Sequence, residues 1–220
     1  MPVNHEKWLE RKYDFWERLW EDLEIGYLDE DLLPILIEFF LRPETYTLSS
    51  CSGRITLSDS SRPWSREETS IVFKKHEPIS PDDILAVYRK PVVRNLWLNV
   101  VGPIIHVSTM SMREAAKILQ IARLAGFKHS GILSFNKIKG IIIELRTGVR
   151  FTQLLKTPKE DVVPETKIHV VVDIANKILM DGKKRLDLLL KVLKEHRPEK
   201  LDPIIINDLK KRRIPPYSDY

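Results

Sequence analysis

Apolar positions along this chain recur at two spacings, one typical of amphipathic helices and one typical of strands. Residues 4–25 carry aromatic and leucine side chains at helical spacing among charges, which predicts a helix. Two more helices are predicted, one from residues 29–31 to the residue before Pro43 and a long one over residues 168–193. Strand-like runs occupy residues 45–48, 54–57, 70–74, 96–101, 104–108, 131–135 and 141–146. Together these elements predict an α+β fold with one mixed β-sheet and helices packed on it.

Capping residues indicate where further helices begin and end. Ser80, followed by Pro81 and two aspartates, is typical of the first turn of a helix. Ser111 and Glu114 have the spacing of a capping box. Gly126 is a natural end for the helix that follows them.

Composition limits the number of domains, the partners and the cellular location that we expect for this protein. The chain has 220 residues, a net charge of +5 and a single cysteine. With no internal repeat and no clear linker, we expect one α+β domain over residues 1–200 and a polar, basic tail over residues 201–220. The charge permits an RNA partner without requiring one. The lone cysteine, the lack of a long apolar run and an N-terminus without a signal pattern predict a cytoplasmic protein with no membrane partner.

The stretch from Thr47 to Arg54 is the strongest candidate for a binding site. It gathers three serines, the only cysteine, a glycine and an arginine between residues that are predicted as strand. A glycine lets the backbone approach a ligand closely, and hydroxyl and N–H groups supply donors and acceptors. The planar cation of Arg54 suits a carboxylate or a phosphate. We therefore predict a binding loop for a polar, anionic ligand, built from Thr47, Ser49, Ser50, Cys51, Ser52, Gly53 and Arg54.

Several familiar sites are excluded by the motifs that the chain lacks. It has neither the glycine-rich fingerprint of a Rossmann fold nor a P-loop, so a non-Rossmann fold is expected. One cysteine and six scattered histidines do not have zinc-ligand spacing, and no metal site is predicted. Cys51 and Arg54 lie too close in sequence for the loop of a cysteine phosphatase. Two roles stay open for Cys51: a thiol nucleophile activated by a nearby cation, or a small packing residue.

The segment Thr47–Arg54 resembles the Ser-x-Ser-Ser-Cys-Ser-Gly-Arg motif of the wybutosine-synthesising protein 3 family, with threonine in place of the first serine. Residues 103–107 are similar to the family's Pro-x-x-His-Val segment, and residues 126–132 to its Gly-Phe-x-x-Ser-Gly-Ile motif. Single positions match as well, among them Asp59, His76 and Asn176. Because these motifs follow in the same order over nearly the whole chain, the chain is identified as a member of this family.

The resemblance implies a tRNA methyltransferase that uses S-adenosylmethionine as methyl donor. The implied substrate is a tricyclic guanosine derivative beside the anticodon of tRNA(Phe), and the methyl group goes to a ring nitrogen, N(4), of 7-(3-amino-3-carboxypropyl)-4-demethylwyosine. The family is not expected to use a standard Rossmann methyltransferase fold, which agrees with the missing glycine-rich fingerprint. The domain over residues 1–200 would then be methyltransferase-like.

Roles for individual residues follow from this reaction as hypotheses. The serine-rich stretch with Arg54 is expected to bind the carboxylate of the cofactor or a phosphate of the RNA. His106 is the first choice to take the proton from the substrate nitrogen, because histidine changes its charge near neutral pH, and Asp59 is the second. The alternatives are a core histidine and a turn residue that caps its own loop. The remaining expected binding residues are His76, Pro103, Ser130, Gly131 and Asn176.

Two other functions stay open at this stage. One is a tRNA-binding module without catalysis, which would use the basic surface and the serine-rich stretch to bind RNA. The other is a thiol-dependent RNA-modifying enzyme in which Cys51 is the nucleophile.

Overall fold

The structure, a computed structural model, describes residues 2–65 and 67–214. These residues contain α-helices and β-strands in comparable number, so the predicted α+β class is confirmed. None of the helices in the described part is both long and apolar enough to span a bilayer. The elements follow in the order α1 (His5–Glu24), α2 (Leu33–Leu41), β1 (Thr45–Cys51), β2 (Arg54–Ser60), β3 (Ser70–Lys75), α3 (Pro81–Tyr88), β4 (Asn95–Val101), β5 (Ile104–Thr109), α4 (Met112–Leu124), β6 (Gly131–Asn136), β7 (Gly140–Arg146), β8 (Arg150–Lys156), α5 (Ile168–Glu195) and α6 (Pro203–Lys211).

The strands form two antiparallel sheets of four, so the prediction of one mixed sheet is wrong. One sheet has the order β1-β5-β7-β6 and the other β3-β2-β4-β8. Although β2 follows β1 after only two residues, it pairs with β3 and β4 and not with β1. Alternation of apolar and polar residues indicates which face of a strand is buried, but it carries no information about which strand lies beside it.

The chain divides into two compact units. Unit 1 comprises Met1–Cys51, Ile104–Thr147 and Arg185–Tyr220, and unit 2 comprises Ser52–Pro103 and Gly148–Lys184.

A single domain over residues 1–200 stays a prediction. The predicted tail over residues 201–220 needs a correction, because α6 lies within it and buries Ile205 and Leu209 in the core of unit 1. Ile205 and Leu209 have the i, i+4 spacing of one helix face, a short signal among the surrounding charges. Residues 215–220 of the tail lie outside the described residues.

In unit 1, helix α1 places its aromatic side chains against the sheet. Trp8 and Trp16 are buried, as the amphipathic pattern over residues 4–25 predicts. Their indole N–H groups donate to Ser108 Oγ at 2.9 Å and to Asp208 Oδ2 at 2.8 Å. Both indole donors are therefore satisfied inside an otherwise apolar core, which also fixes the rings in one orientation.

A buried ion pair connects α1 to α6 within unit 1. Lys12 is fully buried, and its ammonium group donates to Asp202 Oδ2 at 2.7 Å and to the carbonyl oxygen of Arg42 at 2.8 Å. Burial lowers the pKa of Lys12 to about 8, against the opposing attraction of Asp202. Burial and then Asp202 raise the pKa of the neighbouring Tyr13 to about 12. The Asp202 carboxylate also caps α6 by accepting the backbone N–H of Ile204 at 3.0 Å.

Helix α4 begins with only half of the predicted capping box. Ser111 Oγ accepts the backbone N–H of Glu114 at 3.2 Å, as the spacing predicts. The Glu114 carboxylate, however, accepts from Arg42 Nε at 2.5 Å and from Thr45 Oγ1 at 3.1 Å. The buried guanidinium of Arg42 would be strongly destabilising without a counter-ion, whereas an unbonded backbone N–H of Ser111 costs less. The Glu114 carboxylate therefore pairs with Arg42 and does not complete the capping box.

In unit 2, helix α3 and the first part of α5 cover one face of the sheet. Ile55, Leu57, Leu98 and Val100 from the sheet are fully buried with Ile84 of α3 and with Val172, Ala175 and Leu179 of α5. The opposite face, which carries Arg54 and Asn99, contributes no residue to this core. Unit 2 is therefore a sheet with one apolar face and one polar face, as antiparallel sheets commonly are.

We expect Asp202→Asn to lower the free energy of unfolding by about 3–5 kcal/mol at pH 7, because it leaves the Lys12 ammonium buried without a counter-ion. Asparagine can still cap α6, so the loss reports on the charge. Since the folded pKa of Lys12 is about 8, the loss shrinks at pH 9.5, where the amine is neutral. Urea denaturation at both pH values measures the effect. The double variant Lys12→Met, Asp202→Asn should recover most of the stability, and an unchanged single variant would contradict the role of the pair.

Candidate functional site

The motif from Thr47 to Arg54 is mostly strand, which corrects the prediction of a loop. Residues 47–51 belong to β1, and only Ser52 and Gly53 connect β1 to β2. Strand β1 lies at the edge of its sheet, where hydroxylated residues are tolerated because one side of the strand has no neighbour to pack against. The small polar residues therefore mark an accessible strand edge followed by a tight turn.

A row of three polar side chains crosses the sheet of unit 1. Strand register pairs Ser49 of β1 with His106 of β5, and His106 with Glu144 of β7, so all three point to the same face. Ser49 Oγ lies 2.9 Å from His106 Nδ1, and His106 Nε2 lies 3.4 Å from Glu144 Oε2. A β-bulge at Leu48 inserts one extra residue into β1 and so brings Ser49, and not Leu48, opposite His106.

The tautomer of His106 decides which atoms of this row carry protons. An ionised carboxylate only accepts, so Glu144 favours the tautomer in which His106 Nε2 carries the hydrogen. His106 Nδ1 is then the acceptor, and Ser49 donates its hydroxyl hydrogen to it. Arg146 Nη1 lies 3.9 Å from Glu144 Oε1 and places a cation at this end of the row. His106 and Glu144 side chains are 27% and 21% exposed, which leaves the row within reach of a ligand.

A small cavity in unit 1 adjoins the same strand. It has a volume of about 140 Å³ and is lined by Thr47, Ser49 and Ser50 of β1 together with residues of α1 and the segment that follows it. Arg18 of α1 brings a cation to its wall, 3.4 Å from the carboxylate of Asp22. The predicted hydroxyl residues thus border a polar recess that could hold part of a ligand.

Ser130 and Gly131 stand at the start of β6, where they support the row. Ser130 Oγ donates to the carbonyl oxygen of Phe127 at 2.6 Å and accepts the backbone N–H of Arg146 at 3.0 Å. Gly131 pairs with Glu144, and a Cβ atom placed on it would meet nothing within 4 Å. The Ser130 hydroxyl therefore closes the loop before β6, whereas Gly131 leaves open space beside Glu144.

In unit 2 the turn after β1 depends on glycine. Gly53 has φ +99°, and a Cβ atom there would lie 3.0 Å from the carbonyl oxygen of Val101. Ser52 is buried, and its Oγ accepts from Lys183 Nζ at 3.2 Å. Arg54 follows as a half-buried residue, and within residues 2–65 and 67–214 its guanidinium shows no hydrogen bond or ion pair. A cation in this state is available to an anionic ligand.

Asp59 and Asn176 instead bind backbone groups of unit 2. The two carboxylate oxygens of Asp59 accept the N–H groups of Val93 at 2.7 Å and Arg94 at 2.8 Å. The amide of Asn176 both accepts from and donates to the backbone of Ile79, each time at 2.8 Å. These contacts favour the structural interpretation of both residues, because their polar atoms already fix neighbouring loops.

The other predicted residues lie at strand ends. Cys51 is the half-buried last residue of β1 and pairs with Ile104. Half-buried His76 follows β3. Pro103 is buried between β4 and β5, so close to α5 that a Cβ atom on Gly182 would lie 3.0 Å from its ring.

Sequence reasoning missed three charged residues near these groups. Glu144 left a usable signal, because it is the one acid within the apolar strand Gly140–Arg146. Lys183 lies on the long helix α5 and Arg18 on α1, each among many other charges, and nothing in their local sequence distinguishes them. Only the tertiary fold brings them to Ser52 and to the cavity.

The fold and the site together define an α+β protein outside the Rossmann class, with a serine–histidine–glutamate row suited to proton transfer. The family model described as Methyltransferase TYW3 matches residues 10–195. The chain belongs to this methyltransferase family.

Relatives and a solved structure agree with this family. A Saccharolobus solfataricus protein named tRNA(Phe) 7-((3-amino-3-carboxypropyl)-4-demethylwyosine(37)-N(4))-methyltransferase is 44% identical over 187 residues, covering 84% of this chain and 89% of that protein. An Aeropyrum pernix protein of the same name is 32% identical over 179 residues, covering 81% and 95%. The structure of PH1069 from Pyrococcus horikoshii has a TM-score of 0.79 at 29% identity, covering 86% and 97%.

We expect Gly53→Ala to lower the free energy of unfolding by about 1–3 kcal/mol, because alanine is strained at this positive φ and its Cβ would crowd the backbone of Val101. Urea denaturation measures the change. Gly131→Ala is the matched control, since open space surrounds that position, and it should stay within about 0.5 kcal/mol of the unsubstituted protein. Equal stability of the two variants would show that the turn does not require glycine.

Proposed function

We propose that this protein transfers a methyl group from S-adenosylmethionine to N(4) of 7-(3-amino-3-carboxypropyl)-4-demethylwyosine in tRNA(Phe). Membership of the methyltransferase family and the names of both relatives support this reaction. The structural observation that carries the proposal is the row Ser49–His106–Glu144, because it provides a proton acceptor beside an accessible strand edge.

The substrate nitrogen must lose a proton when it gains a methyl group. Ser49 is exposed, and its Oγ lies 2.9 Å from His106 Nδ1, which accepts the hydroxyl hydrogen in the tautomer that Glu144 favours. Ser49 Oγ therefore accepts the substrate proton while passing its own to the imidazole, and Glu144 stabilises the imidazolium that forms. Asp59 is not part of this proposal, because both its oxygens bind backbone N–H groups.

The methyl donor supplies an electrophilic sulfonium methyl group when it is bound, and it carries a carboxylate. Arg54 fits such a group, because it is a half-buried guanidinium with no carboxylate partner among the described residues. Ser52 and Gly53 precede it in a turn that is fixed by close packing and by Lys183. Arg54 would accordingly bind the carboxylate of the donor or a phosphate of the tRNA.

The test of the reaction is mass spectrometry of nucleosides from hypomodified tRNA(Phe) after incubation with the protein and S-adenosylmethionine. One added methyl group on the tricyclic base is expected. His106→Ala should slow single-turnover transfer by about 10²–10⁴-fold, with Ser49→Ala in the same range and Glu144→Gln less affected.

Cys51→Ser is the control for the acceptor variants, and it should keep most of the activity. If Cys51→Ser alone abolished transfer, the thiol-dependent mechanism would replace this one. Full activity of His106→Ala would overturn the proton-transfer role but leave the reaction standing. If folded, unsubstituted protein bound the tRNA but transferred no methyl group, the non-catalytic binding module would be the better description.

We expect Arg54→Gln to weaken binding of S-adenosylmethionine or of tRNA(Phe) by about 10–100-fold, because a charge-assisted hydrogen bond to an anion is lost. Isothermal titration with each ligand separately shows which anion Arg54 binds. The thermal midpoint should be unchanged, because the guanidinium has no partner within the described residues. A variant that unfolds, or that binds both ligands normally, would identify Arg54 as a structural residue.

A further inference from the structure

The sheet of unit 2 has a polar face whose composition differs from an ordinary solvated surface. We call it the outer face and define it by strand register. Its residues are Arg54, Thr56, Ser58 and Ser60 of β2, Asn95, Trp97, Asn99 and Val101 of β4, Arg150, Thr152 and Leu154 of β8, and Ile71 and Lys74 of β3.

The outer face is basic. Register sets Arg54 and Arg150 on either side of Val101, and it sets Lys74 beside Thr56. None of the residues that define the face is acidic, although the chain has 31 acidic residues against 36 basic ones. Arg150 and Lys74 are exposed, and neither forms an ion pair within the described residues. The face therefore presents positive charge that the protein itself does not neutralise.

The middle of the face is rigid and rich in hydrogen-bonding groups. Asn99 Nδ2 donates to Ser58 Oγ at 3.2 Å, and Thr152 Oγ1 donates to Asn99 Oδ1 at 3.1 Å. Trp97 Nε1 donates to the carbonyl oxygen of Ser60 at 3.1 Å, which fixes the indole ring. A ligand would thus meet a platform whose side chains are already held in place, so little entropy is lost when it binds.

An exposed tryptophan borders this platform. Trp64 lies between β2 and β3 and is 69% exposed. With Pro63 it lines an open recess whose other wall is formed by Arg150, Phe151 and Thr152 of β8. An indole that faces water beside an unpaired guanidinium is typical of surfaces on which bases stack while cations contact the adjoining phosphates.

We infer that the outer face is where the tRNA docks, with backbone phosphates at Arg150 and Lys74 and an unstacked base against Trp64. The inference rests on the proposed function. RNA fits better than an acidic protein, because it alone combines a regular array of phosphates with flat aromatic surfaces. An anticodon loop offers both, since its bases are unpaired.

The experiment measures binding of hypomodified tRNA(Phe) by fluorescence anisotropy over a series of salt concentrations. Arg150→Gln should weaken binding at low salt and lower the slope of log K against log salt by about 0.7, the value for one lost phosphate contact in a single strand. Trp64→Leu should weaken binding by about fivefold or more at every salt concentration, because a stacking contact has no charge to screen.

Lys177→Gln is the matched control. It removes one exposed positive charge from α5, the helix whose Ala175 and Leu179 cover the other face of the sheet. We expect this variant to bind like the unsubstituted protein. Polyglutamate, which has charge but no bases, should bind more weakly than the tRNA and should not respond to Trp64→Leu.

Parallel methyl-transfer assays separate this inference from the reaction itself. The face variants should raise KM for tRNA and leave kcat nearly unchanged. Normal affinity and salt slope in both Arg150→Gln and Trp64→Leu, with active unsubstituted protein, would overturn the docking face alone. Polyglutamate binding as tight as tRNA binding would also overturn it, in favour of an acidic partner. Absence of methyl transfer by the unsubstituted protein would overturn the reaction instead.

Discussion

Antiparallel register is the constraint on which the rest of this structure depends. In a sheet with a side-chain period of two, a slip of one residue moves every side chain to the opposite face. The bulge at Leu48 is such a shift confined to one strand, and it brings Ser49 opposite His106. Without it, Leu48 would face the imidazole and the hydroxyl would pair with Ile105. The chemistry of unit 1 thus depends on a single extra residue in an edge strand, the place where bulges are most readily accommodated.

Unit 2 positions its groups by close packing as well as by register. Gly53 and Gly182 both stand where a side chain would crowd the connection between β4 and β5, at 3.0 Å from Val101 and from Pro103 respectively. These tight approaches restrict the turn that leads into Arg54, so the guanidinium starts from a rigid backbone. A cation on a rigid support loses less entropy on binding an anion than one on a mobile loop. Glycine at these two positions is therefore a requirement of the site as much as of the fold.

The sequence was informative about elements and much less so about their partners. Helical periodicity located α1 and α5, and Gly126, with φ +82°, ended α4 as expected. Sheet membership could not be deduced, since β1 and β2 adjoin in sequence and pair with different strands. Asp59 was the second choice of base because it matches an acid at the end of an apolar strand in the family pattern, and only the fold shows both its oxygens bound to backbone N–H groups. Glu144 was overlooked because its partner lies on another strand.

The buried pair of Lys12 and Asp202 also bears on the order in which the chain can fold during synthesis. These residues are 190 positions apart, and Asp202 caps the last helix of the described chain. While the chain is still emerging from the ribosome, Lys12 has no Asp202 to pair with, so the final position of α1 is less stable than in the complete chain. Unit 2 ends at Lys184, so its folding does not depend on the pairing of Lys12 with Asp202. During synthesis from the N-terminus, unit 2 is therefore expected to fold first. Unit 1, which carries the Ser49–His106–Glu144 row, folds fully only after the final helix has been made.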